Sequence, residues 1–129
     1  MKLFHNTWEK WAIIICVTVL LILGISSAKA NELLMAHNPM CGICQNFLQE
    51  VGVDYEYEDL PLVIINLYNQ PNWFKEAYAE GRIKPIRGTP TFIIWNGRKE
   101  LTRIIGYADK QSFYNDLDEV FQKWKNFYS

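Results

Sequence analysis

Apolar positions along the chain change period several times, and each change marks an element. From Ala12 to Ile25 the chain is almost continuously apolar, behind the segment MKLFHNTWEKW with Lys2 and Lys10; this run is short for a comfortable membrane span. NELLMAH has the density of a short buried strand, and NPM breaks it. In CGICQNFLQEVG, Cys44, Phe47, Leu48 and Val51 recur at spacings of three, four and seven, one face of a helix that opens near Cys41 and ends near Gly52. VDYEYEDLP is acidic and irregular, a loop with room for a helical continuation and a solvated face. LVIINLY is a continuous β-branched run between Pro61 and the turn formers Asn69 to Asn72, which predicts a buried parallel strand. NWFKEAYAEGRI predicts a second helix, with Asn72 as cap candidate and a stop at Gly81. In KPIRGTPTFIIWNGRKELTRIIGYA, two strand patterns meet at Asn96-Gly97, a hairpin signal. Phe113, Leu117, Val120, Phe121 and Trp124 share one face of a terminal helix that Asp109 or Ser112 could cap. The order is β-α-β-α-β-β-α, an α/β fold in a single domain.

Composition agrees with one modest core: 129 residues, 50% hydrophobic and 21% charged. The N-terminal run is followed by SSAKA, with Ala28 and Ala30 at the positions a signal peptidase reads. The expectation is therefore a signal peptide over 1–30, cleaved after Ala30, and a mature domain over 31–129 that is periplasmic or otherwise exported. The alternative is an uncleaved segment anchored to the inner membrane by residues 12–28. Removing Lys2, Lys10, Lys29 and Glu9 leaves 10 basic and 13 acidic residues, a mildly acidic domain. No basic stripe with interleaved aromatics points to nucleic acid. Cys16 reads as a small apolar filler within the leader. Trp8 and Trp11 belong to the leader too, and Trp73, Trp95 and Trp124 fall on predicted elements.

Only Cys41 and Cys44 then remain, and a single close pair in an export context points to chemistry rather than to a disulfide scaffold. A thiol attacks as thiolate, and a helix N-terminus stabilises that anion with unpaired N–H groups and the dipole. Cys41 is placed for that help. Cys44, one turn deeper, is placed to attack a mixed disulfide formed at Cys41. Gly42 and Ile43 bring no charge between the thiols, which argues for a moderate or reducing potential. Two rivals use the same thiols. Zinc would need ligands beyond His37, the one further soft ligand in the domain, and a Cu(I) carrier loop would want methionine where Pro39 stands. His37 itself fits best as a partly exposed residue at a strand end. Met40, Ile43 and Tyr107 are candidates for an apolar rim that receives a partner, or for loop packing.

With CGIC at a helix start, GTPTF at the head of a hairpin and IIGYADKQSF entering the last helix, Glu32 to Tyr128 resembles the thioredoxin superfamily. CGICQNFLQEVG, PLVIINL and TPTFIIWNGRKELTRIIGY are similar, more narrowly, to small exported thioredoxin-like proteins associated with bacterial thiosulfate oxidation. The resemblance implies a central mixed four-stranded sheet and a thiol-disulfide oxidoreductase that acts on protein substrates, as a reductase given the neutral dipeptide. It implies a cis Thr89-Pro90 bond beside Cys41, with Thr89, Pro90 and Gly106 forming the substrate groove and Met40, Gly42 and Ile43 surrounding the thiols. A cis proline removes a donor and exposes the backbone of Thr89 to an extended substrate. No organic cofactor motif is present, so electrons would pass to or from another protein, soluble or in the membrane. The chain also departs from ordinary thioredoxin. Met40 stands for the tryptophan before the first cysteine and Ile43 for the proline between them. Met35 replaces the buried aspartate, and an initial strand and helix are missing. The rival from another class is a non-catalytic binding module that uses the CxxC for a metal or a partner.

Overall fold

A computed structural model describes residues 2–23 and 30–128. The N-terminal segment is a helix, α1 (Lys2–Leu23), and among the described residues no helix is long and apolar enough to cross a membrane. Residues 24–29, which hold most of the expected cleavage motif, lie outside the described residues.

The elements that follow are β1 (Glu32–His37), α2 (Gly42–Glu50), a short 3-10 turn (Gly52–Asp54), β2 (Leu62–Asn66), α3 (Asn72–Ala79), β3 (Thr91–Trp95), β4 (Glu100–Ile105) and α4 (Lys110–Tyr128). The strands form one mixed sheet in the order β2-β1-β3-β4. β1 runs parallel to β2, with Leu33 opposite Leu62 and His37 opposite Asn66. β3 is antiparallel to both β1 and β4. The α/β class, the mixed four-stranded sheet and the element order match the sequence reading.

Strand alternation divides the apolar residues between two faces. Leu33, Met35, Phe92 and Ile94 point to the face covered by α2 and α4, where Cys44, Phe47, Val51, Leu60, Phe113, Leu117 and Phe121 complete a buried core. Leu34, Ile65, Ile93 and Trp95 point to the other face and pack with Phe74 and Ala77 of α3 and with Ile83.

Two local expectations need correction. LVIINLY supplies a parallel strand in its first five residues, but β2 lies at the sheet edge, and of its residues Ile65 alone is buried while Ile64 is exposed. The apolar run reads as two-sided burial, yet an edge strand has one neighbour and less cover. The α3 cap is not Asn72: Pro71 occupies that position, with no side-chain cap bond, and Asn72 is the first helical residue. Proline suits such a helix start because its missing N–H would have no partner there. At the other end Gly81 takes a φ of 73°, the left-handed value that ends a helix cheaply with glycine. Of the two candidates for α4, Asp109 is the cap: its carboxylate accepts from the Ser112 N–H at 2.9 Å and from the Ser112 hydroxyl at 3.0 Å.

Candidate redox site

The approach to Cys41 is built locally. Asn38-Pro39-Met40-Cys41 forms a turn in which the Cys41 N–H donates to the Asn38 carbonyl at 3.0 Å. The Asn38 side-chain oxygen also accepts from the Met40 N–H at 2.7 Å. Asn at the first position and Pro at the second favour such a turn, through the side-chain bond and a preset φ. Cys41 is then the N-cap residue of α2, extended at φ −85° and ψ 106°, and its Sγ accepts from the Cys44 N–H at 3.2 Å. A sulfur thus takes the place of the usual capping oxygen, facing the unpaired N–H groups and the positive end of the helix dipole.

Cys41 and Cys44 are joined as a disulfide, with their Cα atoms 5.2 Å apart. Their surroundings differ sharply. Cys41 is half-buried, whereas Cys44 has 0% exposure and sits in the apolar core with Met35 and Phe47. Met35, at the position where the superfamily carries an aspartate, is itself fully buried. The described residues that form this core and pack against it include no Asp or Glu, so the cluster around Cys44 offers it no carboxylate.

Tertiary structure brings the loop before β3 to the disulfide. The Thr89-Pro90 bond is cis, and the Thr89 carbonyl oxygen lies 3.5 Å from Cys41 Sγ across 48 sequence positions. The Gly106 N–H donates to the Pro90 carbonyl at 2.8 Å, so the start of the post-β4 loop is tied to the same strip. Gly106 has a φ of 85°, where any side chain would be strained although space is open around it. Thr91 Oγ1 donates to the Gly88 carbonyl at 2.7 Å and closes the loop from the other side.

Of the expected rim, Met40 is 84% and Ile43 50% exposed, and Gly42 is also exposed. Tyr107 is held differently. Its ring packs edge-on against Phe47 at 5.2 Å, and its hydroxyl donates to Glu50 at 2.5 Å. Burial, and after it the Glu50 hydrogen bond, raise its phenol above the ordinary range. His37 ends β1, partly buried, with Nδ1 unpartnered. Among the described residues no three His, Cys, Asp or Glu side chains come together in a group that could hold a metal ion.

Residues 25–121 match the family model for the thioredoxin-like domain. The chain belongs to the thioredoxin-like family. Solved structures repeat the fold at low identity. The reduced periplasmic thioredoxin SoxS from Paracoccus pantotrophus is 24% identical at a TM-score of 0.55, over 69% of this chain and 93% of its own. A point-mutant thioredoxin from Halobacterium salinarum is 20% identical at 0.52, over 74% and 79%. The short form of spinach chloroplast thioredoxin f is 23% identical at 0.51, over 76% and 79%. No curated protein matches the chain. The fold with its Cys41–Cys44 disulfide supports thiol-disulfide oxidoreductase chemistry in general.

The sequence reading missed the groove beside the Thr89-Pro90 loop, lined by Lys84, Arg87, Gly88, Arg103 and Ile105 among others. A signal was available. Arg82, Lys84, Arg87, Arg98, Lys99 and Arg103 are six of the ten basic residues in 31–129, against the single acid Glu100 in the same stretch. An overall charge count conceals that concentration.

Proposed function

We propose that this protein is an exported protein-disulfide reductase in which Cys41 attacks and Cys44 resolves. The observation that carries the reading is the contrast within one helical turn: a half-buried sulfur at the helix cap, beside an open carbonyl at 3.5 Å, with a fully buried sulfur behind it. Cys41 as thiolate attacks one sulfur of a substrate disulfide, forming a mixed disulfide and releasing the other substrate sulfur. Cys44 then attacks Sγ of Cys41, which restores the internal disulfide and frees the second substrate sulfur. Overall, two electrons and two thiol protons pass from the cysteine pair to the substrate.

Thr89 and Pro90 present the backbone on which an extended substrate aligns, Gly106 leaves that strip uncrowded, and Met40, Gly42 and Ile43 surround the reacting sulfur. A second dithiol protein, soluble or in the membrane, returns the electrons. Export is supported by the basic and apolar N-terminus and the SSAKA motif, and the Paracoccus neighbour is itself periplasmic. On this reading residues 31–129 are the working domain.

The test is reduction of insulin disulfides by the full chain with dithiothreitol. Cys41→Ser should abolish it and Cys44→Ser should accumulate a mixed disulfide; activity that survives Cys41→Ser unchanged sinks the proposal. Equilibration against glutathione buffers tests direction, and a potential as high as roughly −120 mV would make the protein an oxidant instead.

A further inference from the structure

The sheet has two helices on one face and one on the other, and the sparser cover leaves a groove of about 450 Å³ at the β4 side. Thr91 pairs with Ile105 and Ile93 with Arg103. Directly opposed residues share a face, so Arg103 and Ile105 lie on the α3 side with Ile93. Ile105 is 71% exposed there.

The charges in this groove are of two kinds. Arg103 is neutralised: it donates to both Glu100 carboxylate oxygens, at 2.5 and 2.7 Å, and to the Lys84 and Pro85 carbonyls at 3.0 Å each. The Lys84 N–H in turn donates to Glu100 at 3.0 Å. This pair clamps the loop that leads to Thr89. Lys84 and Arg87 are exposed, and neither side chain has a hydrogen bond or ion pair among the described residues. Both therefore face the groove with charge to spare.

The groove is continuous with the redox strip. Gly88 lines it and immediately precedes Thr89, and Ile105 precedes Gly106, whose N–H holds the Pro90 carbonyl. β4 is also a sheet edge, so backbone groups are available to an extended segment. We infer that Lys84 and Arg87 form a subsite for acidic residues flanking the reactive disulfide of the protein substrate. This inference rests on the oxidoreductase reading and adds a substrate class to it. Charge complementarity decides the occupant: the one strongly basic stretch of an otherwise acidic domain borders the loop whose Thr89 carbonyl meets the reacting sulfur. Such charges act mainly on encounter and register.

The experiment compares two disulfide-linked model peptides with the same core, one flanked by glutamates and one by lysines, as substrates of the reduced full chain. The acidic peptide should be preferred about fivefold in kcat/KM, through KM rather than kcat. The preference should shrink as salt rises from about 0.01 M to about 0.15 M. Lys84→Glu combined with Arg87→Glu should abolish or reverse it while leaving the lysine-flanked peptide at least as good a substrate. Lys123→Glu combined with Lys125→Glu, both exposed on α4 across the sheet, makes the same change in net charge and should leave the preference in place. Equal turnover of the two peptides by the wild type, or a preference unchanged in the double variant, overturns the inference alone. Turnover of neither overturns the oxidoreductase reading and the inference with it. A preference that disappears as the protein dimerises at higher concentration assigns the groove to a second copy and overturns the inference too.

Discussion

The two faces of the sheet are built from the same four strands and covered unequally. Toward α2 and α4 the face is closed by aromatic rings: Phe47 stands 4.6 Å from Phe92 and 4.9 Å from Phe113, with Tyr107 at 5.2 Å. Its margin is acidic, with Glu50, Asp54, Glu56, Glu58 and Asp59 within ten residues. Toward α3 a single helix covers Leu34, Ile65, Ile93 and Trp95, and the β4 side stays open as a basic groove. The closed face buries the resolving sulfur in a fixed place. The open face leaves room along the loop whose Thr89 carbonyl meets the attacking one. Rigidity and access thus come from opposite sides of one sheet.

The largest test of this contrast removes a ring from each face. Phe47→Ala and Phe74→Ala should each lose about 3–5 kcal/mol in chemical denaturation, since both side chains are fully buried. Only Phe47→Ala should also increase alkylation of Cys44 in the reduced, still-folded protein, because only Phe47 shares a core with that sulfur. Equal labelling in the two variants would break the division of labour between the faces.

A smaller effect belongs to the clamp on the open face. Arg103→Met leaves the Glu100 carboxylate, 2% exposed, without its ion-pair partner and with only the Lys84 N–H still donating to it. The loss should be about 3 kcal/mol, the low end for a buried pair because the Arg103 side chain keeps 16% exposure. Arg103→Lys retains the charge without the forked donors. If donation to the Lys84 and Pro85 carbonyls is what holds the loop, this variant should fall between wild type and Arg103→Met.

Two titrations on the closed side give the smallest effects. Tyr57 donates to Asp118 at 3.0 Å, and burial followed by that bond raises its phenol to about 12. A raised folded value means that its contribution is complete below the ordinary tyrosine value near 10 and lost as pH climbs from there toward 12. Tyr57→Phe should flatten the fall of Tm over that range. Asp109 behaves in the opposite sense. The hydrogen bonds from Ser112 hold its carboxyl below the ordinary range, so its contribution is complete above the ordinary value and lost as pH falls through the lowered one. Asp109→Asn should keep the helix cap and reduce the acid slope of Tm.

Much of this architecture was legible before any coordinates. Cys44, Phe47 and Val51 at helical spacing, the apolar run TFIIW and the terminal stripe Phe113, Leu117 and Phe121 all became buried as their patterns predict. The Asn96-Gly97 turn joined β3 and β4 as expected, although its loop extends to Lys99, with the Asn96 side chain accepting from the Arg98 and Lys99 N–H groups. The failures were of another kind. LVIINLY looked like an interior strand because apolar density records attraction to a core and not the number of neighbouring strands. Asn72 looked like a cap because its side chain could serve, but Pro71 had already set the helix start.

The sequence by itself determined the kind and order of the elements, the buried stripes of α2, β3 and α4, and that two thiols stand one turn apart at a helix start. These outcomes depend on interactions across a few residues: the repeat of side-chain direction, the needs of helix termini and the preset torsions of proline and glycine. Only the tertiary structure decided that β2 is an edge and that Lys84 and Arg87 border the loop whose Thr89 carbonyl, as the family resemblance implied, meets Cys41 across 48 positions. Those relations follow from strand order and from which sheet face lacks a second helix. Ladder pairing between distant segments sets both, and no local pattern encodes it.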